Sequence, residues 1–265
     1  MHPLLFQIGH LSIPTCGVFN AIALIAVLGA LAHFARRLGL NANKMWNLGL
    51  TGILTSLIAV RLMVVAEYYG AFLQHPFWVL GLTSIRSAWV DPAAVLIGFF
   101  AALLYAMAEG MPLLGVLDGI APAVTMGFAI DRTGAFFAGS DFGLPTQGPW
   151  GVTYTSRLAA LWYHTPLGIQ LVPVQLYEAA ALLLILAGLM FWLPRRTRDG
   201  ELWGAWLFLA GMAGFFLGLY RAGTPDGFWV REAIFGGMVL ASSAFLMGRR
   251  ARSGSYTGVN DPQHI

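Results

Sequence analysis

Seven long apolar stretches dominate this amino-acid sequence. A helix needs about 20 apolar residues to cross the hydrocarbon core of a bilayer. Only 10% of the 265 residues are charged and 58% are apolar, which leaves too little polar surface to cover a water-soluble globule. The sequence therefore predicts an all-α integral membrane protein. Its spans are expected at residues 17–35, 45–65, 92–108, 117–137, 172–193, 202–220 and 233–247.

The basic residues predict the orientation of these spans. Nine of the fifteen Lys and Arg residues follow odd-numbered spans, so seven crossings place all nine on one side. The positive-inside rule assigns that side to the cytoplasm, which puts the N-terminus outside and the C-terminus inside. We expect residues 1–252 to form one membrane-embedded helical domain and residues 253–265 a disordered cytoplasmic tail. The nine residues are Arg36, Arg37, Lys44, Arg195, Arg196, Arg198, Arg249, Arg250 and Arg252.

Two features of the spans have alternative interpretations. Pro122 and several glycines interrupt the fourth span, which leaves open a continuous helix and a broken or partly re-entrant one. Met1, His2 and Pro3 supply no basic region before the first span. We therefore expect that span to be retained rather than removed as a signal peptide.

The sequence does not predict a metal site, a cofactor or a nucleic-acid partner. Cys16 is the only cysteine, so neither an internal disulfide nor a multi-cysteine metal site can form. The net charge of +3 comes from basic residues that flank apolar runs and form no dense stripe. Such residues are typical of membrane flanks.

Six arginines fall toward the predicted outer side, where the positive-inside rule makes them unexpected. Acidic residues accompany them, and ionisable groups near membrane depth cost on the order of 2–3 kcal/mol each, so they are usually paired, snorkelled or functional. Anchoring salt bridges and a functional cluster both remain open, and for adjacent Arg231 and Glu232 we favour a structural ion pair. The arginines are Arg61, Arg86, Arg132, Arg157, Arg221 and Arg231, and the acids are Glu67, Asp91, Asp131, Asp141, Glu178, Asp226 and Glu232.

Two short patterns suggest chemistry at this side. Arg132 and Gly134 precede a small-residue stretch, a combination that suits a phosphate, because Arg offers bidentate donors and Gly leaves room for close approach. Gln175 and Glu178 are spaced i,i+3 at the start of span five, so they share one helix face that should turn into the protein. Glu178 is a candidate for catalysis or for a bundle-stabilising ion pair. His164 is a loop residue that is either solvated or a proton-transfer group.

Several ordered motifs resemble the bacterial phosphatidylglycerol–prolipoprotein diacylglyceryl transferase family. DGIAP at 118–122 is similar to the family's D-x-I-A-P, and DRTGAFFAGSDFG at 131–143 to its G-R-x-G-N-F-x-N-x-E-x-x-G signature. PWGV at 149–152 matches P-W-G-V, and PVQLYE at 173–178 resembles H-P-T/S-Q-L-Y-E. Arg221 with Pro225 and Asp226 resembles a late R-x-P-D element.

The resemblance implies a seven-span enzyme of the bacterial cytoplasmic (inner) membrane. Its partners would be phosphatidylglycerol, as a membrane lipid donor, and the lipobox cysteine that follows a prolipoprotein signal peptide. Diacylglyceryl would move onto that thiol at the outer leaflet. On this interpretation Arg132 holds the phosphate, Gln175, Tyr177 and Glu178 shape a polar cavity, and Arg61 and Arg221 add positive potential.

The sequence also departs from the family pattern. The signature's first Gly is Asp131, its asparagines are Ala135 and Ala138, its glutamate is Ser140, and an arginine in span six is Gly214. The family's histidine near span three is Ala93, with Asp91 two residues earlier. Two hypotheses follow: a divergent transferase in which Asp91, Asp141 or His164 transfers the proton, or a non-catalytic paralogue that binds phospholipid or lipoprotein signal segments.

Overall fold

A computed structural model describes residues 2–8, 11–74, 90–223 and 225–254 and shows a mostly helical protein in this part of the chain. Two short antiparallel strand pairs accompany the helices, β1 with β2 and β3 with β4. The strands are β1 Leu4–Ile8, β2 Leu11–Pro14, β3 Val152–Thr153 and β4 Gln170–Leu171. The helices are α1 Thr15–Arg37, α2 Ala42–Glu67, α3 Tyr69–Gln74, α4 Val90–Ala108, α5 Leu113–Ala138, α6 Arg157–Tyr163, α7 Val174–Trp192, α8 Glu201–Gly218 and α9 Pro225–Gly254.

Five of the described helices are long and apolar enough to cross a membrane, which agrees with the predicted multi-pass all-α membrane protein. They are α1, α2, α5, α8 and α7 extended by a 3-10 turn to Arg195. A sixth apolar helical segment, Pro92–Ala108 within α4, is shorter. The seventh predicted span lies within α9, which runs from Pro225 to Gly254 and ends in a basic turn. The count of seven spans and the orientation remain predictions.

Pro122 lies inside α5, which continues without interruption from Leu113 to Ala138. Proline removes a backbone donor and crowds the preceding turn. The helix is largely buried on this stretch, and the Thr125 hydroxyl donates to the Ala121 carbonyl at 2.6 Å. The span that the sequence left open as continuous or broken is thus one helix.

The chain divides into two compact units, one of Val27–Gly119 and one of Met1–Ala26 with Ile120–Ile265. In the Val27–Gly119 unit, α2 packs against α4. The two helices approach closely at Gly98, where an added Cβ would overlap Ser56 Oγ and the Gly52 carbonyl. Lys44 Nζ lies 2.9 Å from Glu109 Oε2 in the same unit.

The other unit contains both strand pairs and the contacts of α8 with α7 and α9. Isolated bridges join Gly143 to Arg221 and Pro145 to Leu171. The segment after α5, the entry to α7 and the exit from α8 therefore lie side by side. The charged residues of the candidate site come from these three places.

Candidate functional site

Backbone hydrogen bonds hold the three site segments together. Gly143 N–H donates to the Val172 carbonyl at 3.1 Å, and Leu144 N–H donates to the Tyr220 carbonyl at 2.8 Å. A Cβ at Gly143 would overlap Val172 O and lie 2.9 Å from Tyr220 O. No side chain fits there without moving backbone, so glycine at this position allows the loop after α5 to pass between the other two segments.

Arg132, in the last turns of α5, forms an ion pair with three carboxylates. Its Nε and Nη2 donate to Asp131 Oδ2 at 3.0 Å and 2.6 Å. Its Nη1 donates to Glu178 Oε2 at 3.4 Å and lies 3.7 Å from Asp141 Oδ2. The guanidinium is thus fixed by partners from α5, from the following loop and from α7, which is the arrangement expected of a charge held near membrane depth.

Arg221 approaches the same carboxylates from the end of α8. Its Nη2 donates to Glu178 Oε2 at 3.1 Å and lies 4.0 Å from Asp141 Oδ1. The Arg221 and Glu178 side chains are 13% and 14% exposed. Arg221 Nε is buried and finds no hydrogen-bond partner among the described residues. Burial lowers the pKa of Arg221, while Glu178 and Asp141 oppose that shift. An arginine nevertheless stays charged under these conditions.

A neutral hydrogen-bond network lies one helical turn away from Glu178. The fully buried Gln175 donates through Nε2 to the Ser140 carbonyl at 2.6 Å and to the Tyr154 hydroxyl oxygen at 3.2 Å. Gln175 Oε1 is buried and has no hydrogen-bond partner in the described part of the chain. Cys16 Sγ lies 3.6 Å from Ser140 Oγ. Burial raises the pKa of the Tyr154 hydroxyl, so this residue is a neutral phenol at physiological pH.

The structure brings together five of the residues that the sequence predicts for the site. Ion pairs join Arg132, Asp141, Glu178 and Arg221, and Gln175 lies on the same helix as Glu178. The i,i+3 spacing of Gln175 and Glu178 thus turns both side chains into the protein. We name Arg132, Asp131, Asp141, Glu178 and Arg221 the charged cluster below.

Three other predicted residues have different surroundings. Gly134 packs against α1, since a Cβ there would overlap Phe19 Cβ. Tyr177 follows Gln175 on α7 and is 39% exposed. His164 is an exposed residue that ends α6 in the left-handed conformation, with φ of 55°. The roles proposed for these residues stay predictions.

Arg61 and Asp91 belong to the Val27–Gly119 unit, on α2 and in the first turn of α4 respectively. Arg61 is partly buried. Arg86, another of the arginines predicted at the outer side, lies outside the described residues. Among the residues that the structure describes, no group of three or more His, Cys, Asp and Glu side chains is arranged to hold a metal ion.

Comparison with known proteins gives the family. The family model described as prolipoprotein diacylglyceryl transferase matches residues 3–251. The chain belongs to this family. The range that matches the diacylglyceryl transferase family includes every residue of the charged cluster and of the Gln175 network.

Curated members of the prolipoprotein diacylglyceryl transferase family are similar at low identity. The phosphatidylglycerol–prolipoprotein diacylglyceryl transferase of Clostridium tetani is 24% identical over 227 residues, which cover 86% of this chain and 88% of that protein. The Bordetella avium enzyme of the same name is 27% identical over 257 residues, covering 90% and 92%. That of Trichormus variabilis is 28% identical over 148 residues, covering 56% and 52%.

The sequence analysis missed three residues that the structure places at the site of this transferase-family protein. Asp131 is the closest carboxylate to Arg132. Its position next to Arg132 in the sequence was the feature from which this ion pair could have been predicted. Ser140 and Tyr154 contact Gln175. A tyrosine in a loop between spans resembles an interfacial aromatic anchor, so only its burial, 1% exposed, reveals its role.

Proposed function

We propose that this chain transfers a diacylglyceryl group from phosphatidylglycerol to the lipobox cysteine thiol of a prolipoprotein. The observation that carries the proposal is the convergence of Arg132 and Arg221 on Glu178 Oε2. Two guanidiniums that converge on one carboxylate oxygen form a compact set of charged donors that a phosphate oxygen would also satisfy. Membership of the transferase family supports this choice of reaction.

The proposed reaction exchanges a carbon–oxygen bond for a carbon–sulfur bond. The cysteine sulfur attacks the carbon of the diacylglyceryl group that is bonded to a phosphate oxygen, and a thioether forms. The bond between that carbon and that oxygen breaks, and its electron pair leaves on glycerol phosphate. A base takes up the thiol proton. The released phosphate monoester carries one more negative charge than the diester, and this charge balances the proton. The developing negative charge on the leaving phosphate is what Arg132 and Arg221 would stabilise.

Carboxylates outnumber guanidiniums by one in the charged cluster. Among the three proton acceptors that the sequence predicts, Asp141 is the member of this cluster, with its carboxylate 3.7 Å from Arg132 and 4.0 Å from Arg221. We therefore favour Asp141 over Asp91 and His164 as the acceptor of the thiol proton. Binding of the phosphate would replace a carboxylate as the hydrogen-bond partner of Arg132 or Arg221, so that each guanidinium keeps an anionic partner in both states.

The proposed setting is the bacterial cytoplasmic membrane, with seven spans, the N-terminus outside and the C-terminus in the cytoplasm. Five candidate spans and the shorter apolar segment Pro92–Ala108 support a multi-pass arrangement. The basic residues after the first, fifth and seventh predicted spans support the orientation. The charged cluster would then lie near the outer leaflet, where lipid donor and preprotein cysteine meet.

The second candidate function is a non-catalytic protein that binds phospholipid or a lipoprotein signal segment. It is favoured by Ala135 and Ala138, which are 2% and 0% exposed and stand where the family signature has asparagines. Alanines packed at these positions offer no hydrogen bond to a reacting group. Loss of one such donor typically costs about 100–1000-fold in rate.

Two experiments separate the candidates. The chain is expressed in cells depleted of their own diacylglyceryl transferase, and lipidation of a lipobox reporter is followed, with a reporter whose cysteine is replaced by serine as control. Purified protein is also incubated with phosphatidylglycerol and a lipobox peptide, and release of glycerol phosphate is measured. Transfer in both experiments supports the enzyme. Lipid that copurifies in an Arg132-dependent manner without release of glycerol phosphate supports the binding protein and refutes the transferase.

A further inference from the structure

α8 turns a glycine face toward α9. A Cβ at Gly211 would lie 2.9 Å from Val239 Cγ2, and a Cβ at Gly214 would overlap the Phe235 ring. One turn further along, a Cβ at Gly218 would overlap Glu232 Oε1. The first two glycines accommodate hydrocarbon, as is usual where helices pack closely. The third accommodates a carboxylate, which packing alone does not require.

Glu232 is buried and half of its carboxylate is unsatisfied. The residue is 7% exposed, and Oε1 accepts from Arg231 Nε at 3.4 Å. Oε2 is buried and has no hydrogen-bond partner among the residues that the structure describes. A buried carboxylate oxygen without a donor is costly, because the desolvation of the group is not compensated. The pairing with Arg231 therefore explains only one of its two oxygens.

The pair of Arg231 and Glu232 adjoins the charged cluster through one carbonyl. Gly218 O accepts from Arg231 Nη2 at 2.9 Å and from the Arg221 backbone N–H at 3.1 Å. Arg231 is also close enough to contribute to the lowering of the Arg221 pKa. Glu232 is thus linked, through Arg231 and the Gly218 carbonyl, to Arg221, which the proposed function assigns to the phosphate of the donor lipid.

We infer that Glu232 is a specificity-determining residue, whose Oε2 accepts a hydrogen bond from a hydroxyl of the donor lipid's headgroup. The inference rests on the proposed function for the identity of the donor as a glycerol-bearing phospholipid. A hydroxyl lies a few bonds from the phosphate in such a headgroup, which suits an acceptor adjacent to Arg221. A site built around a hydroxyl discriminates against an analogue that lacks it, because the buried acceptor is then left unpaired.

The test compares two lipids that differ only in headgroup hydroxyls. Purified protein in detergent–lipid micelles is assayed with phosphatidylglycerol and with phosphatidylpropanol, and thioether formation on a lipobox peptide is measured as kcat/KM. Competition of each lipid against a fluorescent phosphatidylglycerol gives a binding ratio that does not depend on transfer. We expect wild type to prefer phosphatidylglycerol by about 10- to 100-fold, the range of a hydrogen bond to a charged acceptor.

Two variants remove the acceptor to different extents. Glu232→Met preserves volume and deletes both oxygens, and we expect the preference to fall to about one through weaker use of phosphatidylglycerol alone. Glu232→Gln keeps a polar group of the same shape without charge and should give an intermediate ratio, which protects the test if the methionine variant does not fold. Glu109→Gln, which alters a half-exposed pair with Lys44, is the matched control and should leave the ratio unchanged.

The outcomes are distinct. If the Glu232 variants lose the same factor of kcat/KM with both lipids, the preference is unchanged from wild type. That result would mean a purely structural role and would overturn the inference. If wild type forms no thioether with either lipid but still binds phosphatidylglycerol preferentially in a Glu232-dependent manner, the specificity role stands and the transferase proposal fails.

Discussion

Arg132 and Arg221 donate to one and the same oxygen, Oε2 of Glu178, at 3.4 Å and 3.1 Å. The two arginines come from α5 and from the end of α8, and the carboxylate from the second turn of α7. Like charges so close to each other repel, so the position of each guanidinium depends on the shared carboxylate. Glu178 is therefore the residue through which the two arginines are held at a common point.

Replacement of Glu178 by Gln should weaken both the site and the fold. The variant leaves two partly buried guanidiniums without their shared counter-charge, and hydrogen bonds to charged groups contribute about 1.5–3 kcal/mol each. We expect the free energy of unfolding to fall by about 2 kcal/mol, which is less than the sum for two such bonds because the side chains are partly exposed. We expect the rate of transfer to fall by about 100-fold or more. The measurements are the thermal midpoint in detergent and glycerol phosphate release. Glu109→Gln serves as control, and transfer at the wild-type rate in Glu178→Gln would contradict the assignment.

Arg132→Lys should retain the positive charge and weaken the binding of phosphatidylglycerol. Arg132 uses Nε and Nη2 on Asp131 and Nη1 on Glu178, a fork that one ammonium group cannot reproduce. We expect phosphatidylglycerol binding to weaken by about 10-fold, as for loss of one charge-assisted hydrogen bond. Binding of fluorescent phosphatidylglycerol measures this directly. The matched substitution is Arg36→Lys, because Arg36 is an exposed residue whose Nε donates to the Ala32 carbonyl of its own helix. Equal affinities for wild type and Arg132→Lys would show that charge alone suffices at this position.

The membrane helices could be predicted from sequence because apolar length is a local property. Predicted bounds of 17–35 and 117–137 compare with observed helices Thr15–Arg37 and Leu113–Ala138, which extend into polar flanks that a hydropathy pattern cannot assign. The last helix differs most, since α9 begins at Pro225 and not near residue 233. Prolines are common in the first turn of helices. Pro225 was therefore the sequence feature that could have predicted this earlier start.

The charged cluster could be predicted only in part. The i,i+3 spacing of Gln175 and Glu178 specifies one helix face within a single element. The proximity of Asp141 and Arg221 depends on how the loop through Gly143 passes between Val172 and Tyr220. No local pattern encodes that long-range pairing. Arg231 and Glu232 were interpreted as a structural pair, and their contact is present, but the unpaired Oε2 of Glu232 is visible only in three dimensions.

Tyr154→Phe should change how stability depends on alkaline pH. Burial raises the pKa of the folded-state hydroxyl above its ordinary value of about 10. The folded protein then binds this proton more tightly than the unfolded chain, so the contribution is complete below pH about 10 and is lost as pH rises from there through the folded-state pKa. Thermal midpoints of wild type and variant, measured from pH 8 upward, should converge above pH about 10. Below that pH, loss of the hydrogen bond with Gln175 should cost about 1 kcal/mol. Parallel curves over the whole range would refute the assignment.

Gly134→Ala should destabilise the protein through packing and not through the ligand. A Cβ at Gly134 would overlap Phe19 Cβ and lie 2.6 Å from Phe19 Cγ, atoms near the backbone of α1 that cannot swing away. Overpacking of this kind costs about 1–3 kcal/mol. Gly188→Ala on α7 is the matched control, because a Cβ there meets nothing within 4 Å. It should be neutral or slightly stabilising, since alanine is the better helix former. The thermal midpoint in detergent and phosphatidylglycerol affinity are measured together. A drop in affinity for Gly134→Ala at an unchanged midpoint would assign Gly134 to the phosphate instead, since only a ligand contact would then be lost.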